Sequence, residues 1–387
     1  MYNIDQWVLN PPFSSIVSIL LIFGFDLIGL IFLIRIGLAK DNYNDWVRWQ
    51  APLVGSMFIA IILYPMALYQ LSSLVFLKTI AVICIGLGLI NIIINVKKLS
   101  IKKNIKLSNL QKFKLNETIS YALLIGLGLL AFGPITNADA LDYHIGVAIS
   151  VLNNDGFIST PEWFTGRLFG NGEILNALGL SIGAEQFGSL LQYFSLLGIY
   201  GIIRYFNEKF IDTTNSQYIF TNLIVLAVLS TPCLLFLISS PKPQMWPIAM
   251  NTVAFTLLLD INKNKYSDFE LTSRFILVIL LAATASQAKF NYMLGAFIIG
   301  IIAFKLIYLY KMIWVGFGIT LVTLIIIVMP PALWKISNFD SNLLEVLTNP
   351  LPGNYGGINN FLNIAKNAQD VNTFLPFLLM MLDRKST

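Results

Sequence analysis

Long apolar runs separated by short polar steps dominate the chain, at about residues 15–36, 53–71, 76–96, 117–135, 187–206, 217–239, 244–261, 274–288, 291–310 and 312–334. A helix needs roughly 17 to 25 apolar residues to cross about 30 Å of hydrocarbon, so the pattern predicts about ten membrane-spanning helices. The run 274–288 is short, and Ser286-Gln287-Ala288-Lys289 reads as a tight turn from it into the next helix. Phe374 to Leu382 opens one more run, which stops at Asp383-Arg384-Lys385-Ser386-Thr387. About a dozen residues cannot cross, so the last helix is expected to be incomplete and the chain truncated. No fixed-period repeat or low-complexity tract interrupts the pattern.

The polar steps orient these helices, because short cytoplasmic loops retain Lys and Arg. The loop 97–116 carries Lys97, Lys98, Lys102, Lys103, Lys106, Lys112 and Lys114. Placing it in the cytoplasm puts the N-terminus outside. The cytoplasmic side then also takes Arg35, Lys40, Arg48, Arg204, Lys209, Lys263, Lys265, Arg274, Lys305 and Lys311. The outside keeps Lys78, Arg167, Lys242, Lys289, Lys335 and Lys366. The first helix has no preceding Lys or Arg and no small-residue cleavage site, so it reads as part of the mature chain rather than a signal peptide.

Composition then removes whole classes of function. Residues are 56% hydrophobic and 12% charged, against roughly 25% charged in a soluble domain, so a water-soluble globule is excluded. The formal net charge of +5 lies mainly in the loops and reports topology rather than nucleic-acid binding. Cys84 and Cys233 both fall inside apolar runs, which offers no disulfide framework. One histidine, His144, cannot build a histidine zinc site.

One connection departs from the short-loop pattern. Residues 136–186 form a long, acidic and aromatic external loop, and long loops in compact proteins are usually functional. Within it Leu141, Ile145, Ala148, Ile149 and Leu152 recur at helical spacing, which predicts an amphipathic helix lying on the outer membrane surface. Its other face would gather Asp139, Asp142, Tyr143, Gly146 and Ser150, with Asn137 as N-cap. Acidic residues at a helix start also complement its dipole without further purpose. His144 falls on the flank toward Ala148 and Val151, where a packed or interfacial role is expected first.

The string Asp139-Ala140-Leu141-Asp142-Tyr143-His144, directly after an in-to-out helix, resembles the first external loop of the GT-C superfamily of membrane glycosyltransferases. These include protein O-mannosyltransferases, aminoarabinose transferases and many bacterial relatives. In that family an Asp followed four residues later by Tyr opens a membrane-surface helix, and Asp139 and Tyr143 fit those positions. The frequent Asp-Glu pair is absent because Ala140 follows Asp139, which leaves Asp142 as the candidate second acid. The stretch Trp163 to Leu175, with Arg167, Asn171 and Glu173, stands where the family has a second juxtamembrane segment. Ala288-Lys289-Phe290-Asn291-Tyr292 is similar to a Lys-Tyr step between later helices, and Asn349-Pro350-Leu351-Pro352 to an external Gly-Asn-Pro motif. The likeness covers about residues 117–382. It divides the chain into an N-terminal three-helix region, 1–116, and a GT-C-like region, 117–387.

The resemblance implies an all-α polytopic protein of a bacterial inner membrane, acting as an inverting glycosyltransferase on the outer face. A sugar would pass from a polyprenyl-phosphate carrier to the hydroxyl of a lipid, polysaccharide or protein acceptor. Such a hydroxyl needs a positioned base, for which Asp139, supported by Asp142, is the candidate. Arg167, Lys242 and Lys289 are candidates for holding the phosphate, although lipid-facing lysines also simply snorkel. Tyr143, His144, Glu173 and Gln244 complete the expected substrate contacts, with Trp163 and Phe164 as further aromatics. Asp139 and Asp142 could also ligate Mg2+ or Mn2+ through oxygen.

The rival readings are a transporter or flippase of lipid-linked sugars, a polysaccharide polymerase or ligase, and a GT-C scaffold that only binds. Transporters tend to carry repeats and midplane charges. Here one acid, Asp26, lies deep in an apolar run and is expected to pair with a neighbouring helix, while the other polar residues collect outside.

Overall fold

A computed structural model describes residues 5–38, 46–101, 115–159, 168–210, 223–261, 263, 265–339 and 341–348. Every regular element among them is helical. The chain runs through α1 (Phe13–Arg35), α2 (Ala51–Leu68), α3 (Leu74–Ile101), α4 (Leu115–Ala131), α5 (Gly146–Asn154), α6 (Asn171–Leu180) and α7 (Phe187–Phe210). It continues through α8 (223–229), α9 (Pro232–Ile238), α10 (Met245–Asp260), α11 (Asp268–Ser286) and α12 (Met293–Leu309). α13 (Ile313–Thr323), a π-helical stretch Leu324–Val328, α14 (Met329–Phe339) and α15 (Leu343–Thr348) follow.

The protein is thus a helical membrane protein. Among the described residues, six segments are long and apolar enough to cross a bilayer: Phe13–Arg35, Trp46–Leu68, Leu74–Lys98, Asp268–Ser286, Phe290–Leu309 and Ile313–Phe339. Thr118–Ala131 and Met245–Asp260 are shorter apolar helices. The run expected at 217–239 is broken within the described residues, where Ser230 and Thr231 separate α8 from α9 and Pro232 begins the second helix. Proline suits a first helical position because it has no N–H to satisfy there. The residues of loop 97–116 from 102 to 114, the motif Asn349 to Pro352 and the run Phe374 to Leu382 lie outside the described residues.

Met1–Ile158 and Phe169–Pro331 form one compact unit. Its N-terminal helices pack closely because their contacts are built on small residues: a side chain at Gly55 would collide with the Phe25 carbonyl, and one at Gly88 with that of Leu20. Small residues let membrane helices approach backbone to backbone. Asp26 is paired, as expected of a carboxylate in an apolar helix: Arg48 donates from Nη1 to Oδ1 at 2.5 Å and from Nη2 to Oδ2 at 2.7 Å, and Asn91 Nδ2 donates to Oδ2 at 2.8 Å. Arg48, assigned above to the cytoplasmic charges, is 3% exposed and neutralises this carboxylate inside the fold.

These first helices bond directly to later ones. Ser14 Oγ donates to Gln186 Oε1 at 2.6 Å, Gln50 Nε2 to the Gly198 carbonyl at 3.0 Å and Trp246 Nε1 to Ser56 Oγ at 2.8 Å. The expected region 1–116 therefore shares one compact unit with the helices that follow it.

Ser159–Leu168 and Ala332–Thr387 form a second unit. Within it the Trp334 and Phe339 rings meet edge to face, and Ser159 Oγ donates to the Asn338 carbonyl at 3.3 Å.

Candidate functional site

The segment expected as an amphipathic surface helix is helical, but it is not amphipathic in its setting. Ala140–Ile145 forms a π-helical turn that runs into α5, and every residue from Tyr143 to Leu152 is buried. Polar-outward spacing failed for Tyr143, Gly146 and Ser150, which are buried, while Asp139 and Asp142 on the same face stay exposed. All ten residues of α6 are buried as well. At its far end α5 is anchored by Asp155, whose left-handed backbone (φ 56°) lets its carbonyl accept from the Ser72 N–H at 2.9 Å. At its near end Asn137 Oδ1 accepts from the Ala140 N–H at 3.1 Å, the capping contact expected of it. A π turn widens the helix by one residue per turn, and such turns recur at functional sites.

α6 is the element around which the charged groups assemble. Its Glu173 is fully buried, with Oε2 accepting from the Gly170 N–H at 2.8 Å and Oε1 lying 2.7 Å from His144 Nδ1. A carboxylate is favoured at a helix N-terminus. His144 is equally enclosed, not on an exposed flank, and its ring lies 4.1 Å from that of Tyr143. Neither Glu173 nor His144, both expected among the substrate contacts, reaches the surface.

Two neighbouring residues of α6 fix the Lys242 turn. A side chain at Gly172 would collide with the Pro243 ring, and Asn176 Nδ2 donates to the Pro241 carbonyl at 3.0 Å. From α7, Gln192 Oε1 accepts the backbone N–H groups of Gln244 at 3.2 Å and Trp246 at 3.1 Å. Gln244 thus enters the site through its backbone. Asn171 holds the turn before Lys289: its N–H donates to the Gln287 carbonyl at 3.1 Å and its Nδ2 to that of Thr284 at 2.8 Å.

These contacts bring together charges that are far apart in the chain. Lys242, 5% exposed, forms an ion pair with Asp139 and lies 4.2 Å from the centroid of the Phe236 ring. Lys289 Nζ sits over the Tyr143 ring, 5.5 Å from its centroid. Partial burial alone would raise the Asp139 carboxyl, but its bond to Lys242 and the nearby charges of Lys242 and Lys289 outweigh that and hold it below the usual carboxylate range. Burial pulls the Lys289 ammonium down and Lys242 adds to this, with Glu173 and Asp139 opposing. Burial also pushes the Tyr143 phenol well up, reinforced by Glu173, Tyr64 and Asp139.

Asp142 is exposed on the π turn. Arg167, with Trp163 and Phe164, lies outside the described residues. Among the described residues no group of three or more His, Cys, Asp or Glu could hold a metal ion. A Mg2+ or Mn2+ ion at Asp139 and Asp142 would therefore depend on substrate and water oxygens to complete its shell. Gly172, Asn176 and Gln192 were not singled out from the sequence. Only the prolines of the Pro241-Lys242-Pro243 turn signalled that its direction mattered.

Fold and site define a helical membrane protein that gathers Asp139, Lys242 and Lys289, from three separate interhelical connections, around one short buried helix. The chain belongs to the family described as the DUF1420 N-terminal domain, whose model matches residues 1–123 and 100–385. No curated protein and no solved structure matches it.

Proposed function

We propose that the protein is a glycosyltransferase of the GT-C type, moving a sugar from a polyprenyl-phosphate carrier to an acceptor hydroxyl at the outer face of a bacterial inner membrane. The observation that carries this reading is the pairing of a solvent-facing carboxylate, Asp139, with a buried ammonium, Lys242, beside a second ammonium, Lys289. A base and an anion-holding group then stand next to each other, as transfer from a phosphate leaving group requires.

In the proposed step the acceptor hydroxyl gives its proton to Asp139 while its oxygen bonds to the anomeric carbon. The bond from that carbon to the phosphate oxygen breaks, its electron pair leaves with the polyprenyl phosphate, and inversion results. Lys242 and Lys289 hold the departing anion, which needs no acid. As the phosphate draws Lys242 toward itself, Asp139 loses part of its counter-charge and becomes the stronger base.

The proposed topology has about ten crossings, the six long segments, Thr118–Ala131, Met245–Asp260, α7 and the interrupted run 217–239, with the N-terminus outside and loop 97–116 in the cytoplasm. Asp26 is neutralised by Arg48 and hydrogen-bonded by Asn91, which favours a structural role for this deep acid over ion coupling in a transporter.

Purified protein in nanodiscs is given a short-chain polyprenyl-phosphate sugar and a panel of acceptors. Wild type should consume the donor, and Asp139→Asn should bind it with turnover reduced about 100-fold or more. Binding without turnover by wild type across acceptors and divalent metals would reject the transferase in favour of a flippase, a ligase or a binding scaffold. Reporter fusions that place loop 97–116 outside would remove the outer-face reading.

A further inference from the structure

Beneath Asp139 and Lys242 lies a second pair that the proposed step does not use. His144 and Glu173 are both completely buried, and a buried imidazole and carboxylate are costly to keep where apolar side chains would pack. Both Glu173 oxygens are occupied, one by the Gly170 N–H and one by His144. Because a carboxylate only accepts, His144 Nδ1 must be the donor. The other nitrogen, Nε2, is buried without a hydrogen-bond partner among the described residues. Among the described residues the ring is hydrogen-bonded by Glu173 alone, and its face meets Tyr143 at 4.1 Å. Tyr143, 4% exposed, in turn carries Lys289 over its own ring.

We propose that Glu173 and His144 are positioning residues: Glu173, anchored at the start of α6, orients His144, His144 sets the plane of Tyr143, and Tyr143 places the Lys289 ammonium for the anion. The identity of the anion rests on the transferase reading, while the relay of position from Glu173 to Lys289 does not. Neither Glu173 nor His144 touches substrate. They govern affinity for the donor phosphate more than the bond-making step.

His144 is the single histidine of the chain, so histidine-selective nitrogen NMR reads this ring alone. Wild type should show the proton on Nδ1. In Glu173→Gln the amide oxygen can still accept from Gly170 while its N–H faces Nδ1, so the proton should move to Nε2. Farnesyl phosphate serves as the binding probe. Glu173→Gln and the charge-neutral Tyr143→Leu should each weaken its binding about tenfold, the scale on which outer-shell partners act. The double variant should be no weaker than the worse single, because both interrupt one chain of contacts, and kcat should change less than KM.

Additive losses, or losses under twofold in both single variants, would overturn the proposal. Failure of wild type to bind farnesyl phosphate would count against the donor reading instead. Positioning is then decided by acylation of Lys289 by an amine-reactive ester, followed by mass spectrometry with exposed Lys305 and Lys311 as internal references. Tyr143→Leu should change the Lys289 rate severalfold relative to these, and an unchanged rate would overturn the relay.

Discussion

The ammonium of Lys242, with 6% of its side chain exposed, meets the carboxylate of Asp139, whose side chain is 57% exposed. The pair is asymmetric: the cation is held by the fold and the anion faces outward. This lets the two partners take different parts in one reaction, and it makes several consequences measurable.

Lys242→Met keeps most of the side-chain volume and removes the charge. Asp139 is held below the usual carboxylate range, so its pairing stabilises the fold above the unfolded carboxyl value, near 4, and that contribution is lost as pH falls through the lower folded value. Thermal melts in detergent across this acidic range should show a smaller acid loss in Lys242→Met than in wild type. Equal acid loss in both would mean that the pair does not stabilise the fold. Donor binding at neutral pH should fall as well.

Gly172→Ala adds one methyl group against the Pro243 ring, and no neighbouring flexible chain end can yield. The turn carrying Lys242 must shift, a clash on the order of 1–3 kcal/mol. Donor affinity should drop about tenfold, equivalent to about 1.4 kcal/mol, and titration of farnesyl phosphate would show it. Unchanged affinity would separate the turn from the site.

Gln192→Leu preserves bulk but removes the oxygen that accepts from Trp246 N–H. A buried donor left unsatisfied costs about 1–3 kcal/mol, so the protein should unfold at lower temperature. Lys242 should also become more reactive toward an amine-reactive ester as its turn loosens.

Asp26→Ala takes the bidentate carboxylate partner away from the buried Arg48 and should destabilise the protein by about 3–5 kcal/mol. The joint change Asp26→Leu with Arg48→Met should cost much less, because no charge is stranded. Unfolding by heat or by anionic detergent distinguishes the two, and equal losses would show that shape rather than charge pairing matters there.

The residues most legible in the sequence were those whose chemistry conflicts with their surroundings. Asp26 in an apolar run called for a partner, and Arg48 and Asn91 supply it. Lys242 and Lys289 stood out because cations on the assigned outer side are few, and the structure brings both to the neighbourhood of Asp139. His144 was less legible. Spacing by 3.6 residues put it on a flank, but the π turn at Ala140–Ile145 changes the angular spacing there and the cover of α6 removes the surface altogether. α6 itself, only ten residues long and carrying Asn171, Glu173 and Asn176 among its apolar positions, was too short and too polar to stand out as a buried organiser.

From the sequence alone came the helical membrane class, the approximate limits of the helices, and the residues whose charge had to be accounted for. These depend on local composition and on the cost of exposing backbone and charge to hydrocarbon, which neighbouring residues determine among themselves. Tertiary structure alone decided which charges meet and which are enclosed. Asp139 finds Lys242, and Glu173 finds His144, through the close approach of Gly170 and Gly172 to other connections and the hydrogen bonds of Asn171, Asn176 and Gln192. Those contacts join segments far apart in the chain, and only their packing in three dimensions makes one site of them.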